Sequence, residues 1–534
     1  MDGCARETRF RDDPAILDAI LIGLGGLLII LAVRVVADRS GLPAAVLFVV
    51  TGTVLSLLPG PTAHLDPDVV LELLIPPLLY SAALNASLLQ IRSHMRLIAS
   101  LSIGLVLVTA IAVGGVLTWV VPGLGFAAAL ALGAAVAPPD PVAALAIGRR
   151  AKMPERLTTL IEGEGLLNDA TALTLYGIAV TAAIGDGFAP PEGIGRFLWA
   201  VAGGAGAGLL IAWLVRLARS RLDDPLIQNA LSLATPFAAF ALAQRFDASG
   251  VLAVVVAGLW LAHQSPRTDS GETRLQERSV WQLVEFLLEG YVFLLIGQQA
   301  PDVVKGLGEY STGTVVAAAL GTVGTVLLIR PLWLLWLRRV TMASHTVTLG
   351  LREVTALWWA GTRGVITLAT AFALPLAFPD RHLLLFCAYL VVLVTLVGQG
   401  LTFAPLLRAL RLRADETEER RVRAEARVAA VAASLRRLNE LLDDDRIPPE
   451  VADRLRRSYE ERRSRAAERV RTLGDDEAID KLTAGVEAVG RVRREMIDAQ
   501  RDELIRWRDA GRLPDSGLRI LLRELDLQEG SLPG

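Results

Sequence analysis

Residues 126–148 read FAAALALGAAVAPPDPVAALAIG, and this stretch decides the fold. The run is apolar and, at about 1.5 Å per residue, long enough to cross a hydrocarbon core of about 30 Å as a helix. Pro138, Pro139 and Pro141 interrupt that helix, because proline lacks a backbone N–H and clashes with the preceding turn. A helix broken at membrane depth exposes unpaired backbone groups, which are tolerated only where they line a wet or ion-binding cavity. Asp140 lies inside the break, so the sequence predicts an ion-binding cavity there, with a simple proline kink as the alternative interpretation.

The rest of the chain has the composition of a membrane protein. It contains 534 residues, of which 53% are hydrophobic, more than is usual for a soluble protein. Its long apolar runs predict an all-α membrane protein with about 13 transmembrane helices. The predicted spans cover residues 14–37, 42–59, 68–89, 95–121, 126–148, 156–184, 191–217, 226–245, 249–264, 280–299, 311–337, 350–376 and 382–408.

The chain divides into an apolar part and a charged part. We predict a transmembrane transport domain at residues 1–411 and a cytoplasmic helical tail of three or four helices at residues 412–534. Arginine and lysine concentrate in alternate loops, which the positive-inside rule places in the cytoplasm. An odd number of spans in the cell membrane then puts the N-terminus outside and the C-terminus inside. The tail is interpreted either as solvated structural helices or as a regulatory segment with a partner of its own.

Several functional classes are excluded by what the sequence lacks. The formal net charge of −2 gives no basic field for nucleic acid. Cys4 and Cys387 are the only cysteines, and the five histidines lack metal-binding spacing. No catalytic Ser/His pair or nucleotide loop occurs in a plausible place. We therefore expect no enzyme, no transition metal, no cofactor and no nucleic-acid partner.

Charged residues inside the predicted spans are the informative ones. A charged side chain in mid-membrane costs about 2.5 to 3.5 kcal/mol on insertion scales, so each one needs a purpose. These residues are Asp140, Glu164, Asp169, Glu289, Arg330 and Arg363.

The sixth predicted span carries the strongest candidate for an ion site. Glu164 and Asn168 are four residues apart and share a helix face, and Asn168 is followed by Asp169 near the middle of the span. A carboxylate beside an amide oxygen suits an alkali cation, since neither sulfur nor imidazole is present. A polar contact between packed helices is the alternative interpretation.

The remaining charges suggest a second interrupted helix and an ion pair. Arg330 is too deep in its span to reach water and needs an anionic partner, for which Glu164 is the natural choice. Glu289 is either a second cavity acid or a satisfied acid at a helix contact. Arg363 lies between two nearby glycines in the twelfth span. If spans 1–6 and 8–13 are inverted repeats, spans 5 and 12 are paired broken helices, which mark a transporter's binding site.

In their order and spacing, these residues resemble the monovalent cation:proton antiporters, in the branch that holds bacterial NhaP-type and animal sodium/proton exchangers. The resemblance spans nearly the whole membrane part. The matching motifs are Asp140-Pro141, Gly163-Glu164-x-Leu166-Leu167-Asn168-Asp169-Ala170, Glu289 with Phe293 and Gly297, and Thr362-Arg363-Gly364.

The resemblance implies a function and a role for each residue. Asp169 would be the carrier carboxylate, which binds an alkali cation (Na+ and/or K+) or a proton with Asp140 at the crossing of the broken helices. Asn168 before the aspartate resembles the electroneutral branch, and Glu164 with Arg330 would form a structural ion pair. The family also implies a homodimer in membrane lipid and a part in pH homeostasis.

Three positions depart from the family's pattern. Pro139 stands where relatives often have threonine, Gly165 where they often have serine, and Ser81 where several have glutamate. Backbone carbonyls or water would have to complete the cation's shell. The rival function is an ion- or pH-sensing membrane protein that signals through its tail without transport.

Overall fold

The structure is a computed structural model that describes residues 14–58, 70–185, 190–343, 349–413, 416–444, 446–471, 476–510 and 512–530. Every regular element in these residues is a helix, in agreement with the predicted all-α class. The chain forms two compact units, Met1–Ala414 and Asp415–Gly534. Cys4, the predicted outside N-terminus at residues 1–13, and the predicted end of span 2 and start of span 3 at residues 59 and 68 lie outside the described residues.

The first unit contains the apolar helices. They are α1 (Pro14–Ser40), α2 (Ala44–Ser56), α3 (Ile75–Asn85), α4 (Leu88–Ser93), α5 (Met95–Ala99), α6 (Val106–Val120), α7 (Phe126–Val136), α8 (Pro141–Arg150), α9 (Glu155–Ile184), α10 (Pro190–Arg219), α11 (Pro225–Arg245), α12 (Gly250–Thr268), α13 (Gly271–Gln298), α14 (Ala300–Lys305), α15 (Thr312–Ala343), α16 (Leu351–Trp359), α17 (Val365–Phe372), α18 (Arg381–Val394) and α19 (Gly400–Leu410). Short π-helical segments precede α3, α6 and α19, at Val70–Leu74, Ser100–Leu105 and Thr395–Gln399.

Eight stretches of helix in the described residues are long and apolar enough to cross a membrane. The chain is therefore a multi-pass membrane protein, and the exact number of 13 spans stays a prediction. The helices at predicted spans 2 and 12 are shorter than a membrane-crossing helix needs to be. Helix α2 has only 13 residues, and the break between α16 and α17 leaves two short half-helices.

The predicted tenth span differs most from the helix observed. Hydropathy begins this span at residue 280, whereas α13 begins at Gly271. The difference arises because Glu277, in the charged first part of the helix, is buried against Arg219, with 2.8 Å between the guanidinium nitrogen Nη2 and Oε1. A charge that is paired inside the protein does not end a helix, although it lowers the mean hydropathy of the segment.

The helices of the first unit pack as two bundles. One is built around the half-helices α7, α8, α16 and α17, with α6, α9, α15, α18 and α19 against them. The other contains α1, α2, α3, α10, α11, α12 and α13, in which α2 packs along α13 and α10 along α12. The site residues on α7 to α9 therefore belong to the first bundle, and Glu289 on α13 belongs to the second.

The second unit consists of charged helices. Its described residues form α20 (Glu416–Asp443), α21 (Pro449–Arg471), α22 (Asp476–Asp509) and α23 (Asp515–Gly530). Helix α20 packs on α21, and α22 packs on α23, where Arg501 bridges Asp526 and Glu529. The cytoplasmic location of this unit stays a prediction.

The packing of α2 on α13 depends on two glycines. A Cβ atom added to Gly297 would overlap the carbonyl oxygen of Val49 and lie 2.9 Å from the Cα atom of Gly52. The hydroxyl of Thr53 donates a hydrogen bond of 3.1 Å to the carbonyl oxygen of Gly297 across the same contact.

We expect Gly297→Ala to destabilise the second bundle by about 1–3 kcal/mol, because backbone atoms must move apart to admit the methyl group. The measurement is the melting temperature of the detergent-solubilised protein. Gly115→Ala is the matched control, since a Cβ atom at Gly115 meets nothing within 4 Å. Equal melting temperatures for the two variants would contradict the close contact.

Candidate ion-binding site

The two interrupted helices meet at their breaks. Helix α7 ends at Val136 and α8 begins at Pro141, while α16 ends at Trp359 and α17 begins at Val365. The backbone N–H of Asp140 donates to the carbonyl oxygen of Thr362 over 2.7 Å, and the Thr362 hydroxyl donates to the carbonyl oxygen of Asp140 over 3.0 Å. Each break thus satisfies backbone groups that the other leaves unpaired, which the membrane interior requires.

Arg363 stabilises the end of α7 from within the second break. Its side chain is 2% exposed, and its Nε and Nη2 atoms donate to the carbonyl oxygens of Val136 and Ala137, each over 3.1 Å. These carbonyls carry the partial negative charge of a helix C-terminus, so a guanidinium suits them. The Arg363 backbone N–H donates to the Thr395 hydroxyl over 3.0 Å. In this structure Arg363 contacts backbone groups, and it makes no ion pair with a described residue.

Asp140 lies at the beginning of both half-helices that follow the breaks. Its Oδ1 atom accepts a hydrogen bond of 2.9 Å from the N–H of Val142 and so caps the N-terminus of α8. Its Oδ2 atom lies against Gly364, where any Cβ atom would collide with the carboxylate. Gly364 directly precedes α17, so the positive ends of α8 and α17 both lie beside one carboxylate.

Asn168 and Asp169 lie on α9 beside the first break. Asn168 is fully buried, and its amide nitrogen donates to the carbonyl oxygen of Pro139 over 2.9 Å. Its Oδ1 atom has no hydrogen-bond partner in the described part of the chain. Asp169 is 4% exposed, and Asp140 lies near enough to repel it electrostatically.

The structure gives a reason for one of the departures from the family's pattern. A Cβ atom at Gly165 would overlap the ring of Pro141, so a serine does not fit there without movement. At Pro139 the backbone carbonyl oxygen accepts the hydrogen bond from Asn168, and nothing in the structure explains the proline itself.

Glu164 and Arg330 form a buried, bidentate ion pair. The Nη1 atom donates to Oε1, and the Nη2 atom donates to Oε2 over 2.9 Å, with the two residues 1% and 2% exposed. The Nε atom of Arg330 donates to the carbonyl oxygen of Leu357 over 2.8 Å. The pair therefore joins α9, α15 and α16 around the site.

Glu289 lies on α13 of the second bundle and is half-buried. The charged groups that act on it electrostatically are Asp140, Glu285 and Arg34. One turn earlier on α13, Glu285 accepts a hydrogen bond of 3.1 Å from the hydroxyl of Ser81, which is 1% exposed. Ser81, which stands where several relatives have glutamate, thus contacts a carboxylate that was not predicted from the sequence, although the four-residue spacing of Glu285 to Glu289 was a usable signal.

A second buried network of charged residues, centred on Arg219, was not predicted from the sequence. Arg219 binds Asp269 over 3.2 Å and Glu277 over 2.8 Å, and Glu277 accepts a further hydrogen bond of 2.6 Å from Ser232. Trp281 donates to the Ser232 hydroxyl over 3.1 Å. The partners of Arg219 are distant in the sequence, since Asp269 follows the end of α12 and Glu277 lies on α13.

A multi-pass helical bundle with two broken helices that cross beside buried acids has the architecture of a membrane transporter. The chain belongs to the sodium/hydrogen exchanger family, whose transmembrane region matches residues 26–409. Members of this family are transporters and not enzymes, and the resemblance found in the sequence is confirmed.

Similar proteins cover most of the chain. An uncharacterised Na+/H+ exchanger of Mycobacterium tuberculosis is 35% identical over 542 residues, which cover 96% of this chain and 97% of the relative. The low-affinity Na+/H+ antiporter NhaS1 of Synechocystis is 30% identical over 78% of this chain and 79% of the relative. A sodium, potassium, lithium and rubidium/H+ antiporter of Bacillus subtilis is 31% identical over 70% of this chain and 59% of the relative.

A solved structure shows the same fold. The sodium proton antiporter MjNhaP1 of Methanocaldococcus jannaschii superposes with a TM-score of 0.58, covering 74% of this chain and 99% of its own. The sequence identity is 17%, so the likeness concerns the fold alone.

We expect Glu164→Gln to lower the stability by about 3–5 kcal/mol, because it leaves the Arg330 guanidinium buried without its anion. The double variant Glu164→Leu with Arg330→Met should recover part of the loss, since neither charge then remains. Thermal unfolding in detergent measures both effects. Asp302→Asn, which removes an exposed pair with Lys305, is the control and should melt like the wild type. A single variant as stable as this control would contradict a structural role for the pair.

Proposed function

We propose that this protein exchanges a monovalent cation, Na+ and/or K+, for protons across the cell membrane, with Asp169 as the carboxylate that carries either one. The observation that supports this most directly is the setting of Asp169. It is 4% exposed on a membrane-spanning helix and has no ion pair with a described residue. A carboxylate in that position is strongly driven to bind a proton or a cation.

The proposed ligands are all hard oxygens. Asp169 and Asp140 supply carboxylates, Asn168 supplies an amide oxygen that has no hydrogen-bond partner among the described residues, and the carbonyl oxygen of Pro139 lies at the Asn168 amide nitrogen. Such a set suits an alkali cation and not a transition metal, with water completing the shell. No cofactor enters the proposal.

Exchange follows from competition at one site. Asp169 holds a proton or a cation but not both, and the bundle that carries it moves against the bundle of α13 to expose the site alternately to each side. The proposal includes 13 spans in two inverted repeats, an outside N-terminus, a cytoplasmic tail and a homodimer in lipid. The names of the Synechocystis and Bacillus relatives support sodium and potassium, respectively, as cations for a protein of this family.

The proposed exchange is electroneutral. Asn168 is neutral, so Asn168 and Asp169 together contribute one carboxylate. That carboxylate carries one cation in one direction and one proton in the other, so no net charge crosses the membrane. An aspartate in place of Asn168 would add a second negative charge at the same position.

We expect Asp169→Asn to abolish cation-driven proton flux in liposomes, since an amide can neither be titrated nor neutralise a cation. Asp302→Asn, an exposed aspartate on α14, should leave the flux unchanged. The two variants should elute alike in size exclusion, which separates loss of transport from loss of folding. Cation-driven flux that persists in Asp169→Asn contradicts the proposal, and absence of flux in the wild type favours the sensor.

We also expect the rate of Na+/H+ exchange in liposomes to be the same at zero voltage and at an imposed potential of either sign. One net charge moved per cycle would add about 2.3 kcal/mol per 100 mV to the driving force, which is easily detected. Asn168→Asp is the comparison, and it should become sensitive to voltage if it transports. A voltage-dependent rate in the wild type would rule out electroneutral exchange.

A further inference from the structure

A row of polar residues runs along α13. Glu277, Trp281, Glu285 and Glu289 follow one another at intervals of four residues, so each lies one turn beyond the last and the row winds by about 40° per step around the helix. The row leads from the Arg219 network at the beginning of α13 to the level of Asp140.

The carboxylates of this row differ in their partners. Glu277 forms an ion pair with Arg219 over 2.8 Å, which Arg219 shares with Asp269, and it also accepts from Ser232 over 2.6 Å. Glu285 is half-buried and accepts one hydrogen bond in the described structure, from the neutral hydroxyl of Ser81 over 3.1 Å. A hydroxyl orients a carboxylate but does not balance its charge. Glu285 makes no ion pair with a described residue, so its carboxylate is available to hold a mobile cation.

The unbalanced acids are electrostatically linked from one bundle to the other. Glu289 is repelled by both Glu285 and Asp140 and attracted by Arg34, and Asp140 in turn repels Asp169. Within the described residues no three acidic, histidine or cysteine side chains lie close enough to hold a metal ion together. The four carboxylates therefore form a series of positions and not a single cage.

An independent feature marks where this series ends. The Oδ1 atom of Asn168 is buried and unpartnered in the described chain, while its amide nitrogen is fixed on the carbonyl oxygen of Pro139, one residue before Asp140. A buried acceptor without a donor requires a ligand, either water or a cation.

We propose that Glu285 is a further cation-binding residue, an outer position from which the cation passes by Glu289 to Asp140 and Asp169. Ser81 is its positioning residue, because its hydroxyl holds the Glu285 carboxylate from α3. This inference rests on the proposed exchange of cations at Asp169 and adds an acid supplied by the opposite bundle.

The first test is the dependence of proton flux on Na+ concentration in liposomes. Glu285→Gln should raise the KM for Na+ by about tenfold, since a cavity carboxylate concentrates cations near the site by at least that factor. The rate at saturating Na+ should stay at the wild-type value, as expected when only binding is weakened. Glu277→Gln is the matched control, with the same change two turns earlier on the same helix. It should lower the melting temperature and leave the KM unchanged.

The second test exchanges the two side chains of the Ser81–Glu285 contact, so that the carboxylate is on α3. The double variant Ser81→Glu with Glu285→Ser presents the same charge from α3 instead of α13, and it should return the KM toward the wild-type value. A wild-type KM in Glu285→Gln, or a double variant with a KM as high as that of Glu285→Gln, overturns the outer position. Asp169→Asn tests the proposed exchange separately. If it abolishes flux while Glu285→Gln behaves as wild type, only the further inference fails.

Discussion

The structure depends on satisfying the backbone of two broken helices inside a membrane. Three prolines end α7 and start α8 at mid-membrane, where each unpaired N–H or C=O group costs several kcal/mol. The breaks solve this problem together, through the two hydrogen bonds between Asp140 and Thr362 and through Arg363 on the carbonyls at the end of α7. That solution leaves the carboxylate of Asp140 between two positive helix ends, next to the buried amide of Asn168. The proposed ion site is thus a consequence of how the breaks are closed.

Pairing separates the charges of the membrane unit into two groups. Glu164 and Glu277 are matched with Arg330 and Arg219 by short hydrogen-bonded contacts, and each pair joins helices within one bundle. Asp140, Asp169, Glu285 and Glu289 make no ion pair with a described residue. Asp140 on the first bundle acts electrostatically on Glu289 on the second. In the exchange that we propose, the transported ion is the counter-charge of these acids.

Local chemistry made part of this predictable from the sequence. The prolines around Asp140 predicted the break, the depth of Arg330 called for an acid, and the helical spacing of Glu164 and Asn168 gave them one face. The sequence could not reveal contacts between residues far apart along the chain. The hydrogen bond that Glu285 accepts comes from Ser81, which lies 204 residues earlier in the sequence. The early start of α13 was missed for the same reason, since the partner of Glu277 lies on α10.

The central claim is that a proton and a cation compete for Asp169, and proton release on cation binding tests it most directly. Purified protein in weakly buffered detergent solution is titrated with NaCl in the presence of a pH indicator, with choline chloride as the ionic control. The account predicts that Na+ releases protons from the wild-type protein, that the apparent Na+ affinity falls as the pH is lowered, and that Asp169→Asn releases none. Na+ binding without proton release, or equal release from Asp169→Asn, would contradict it.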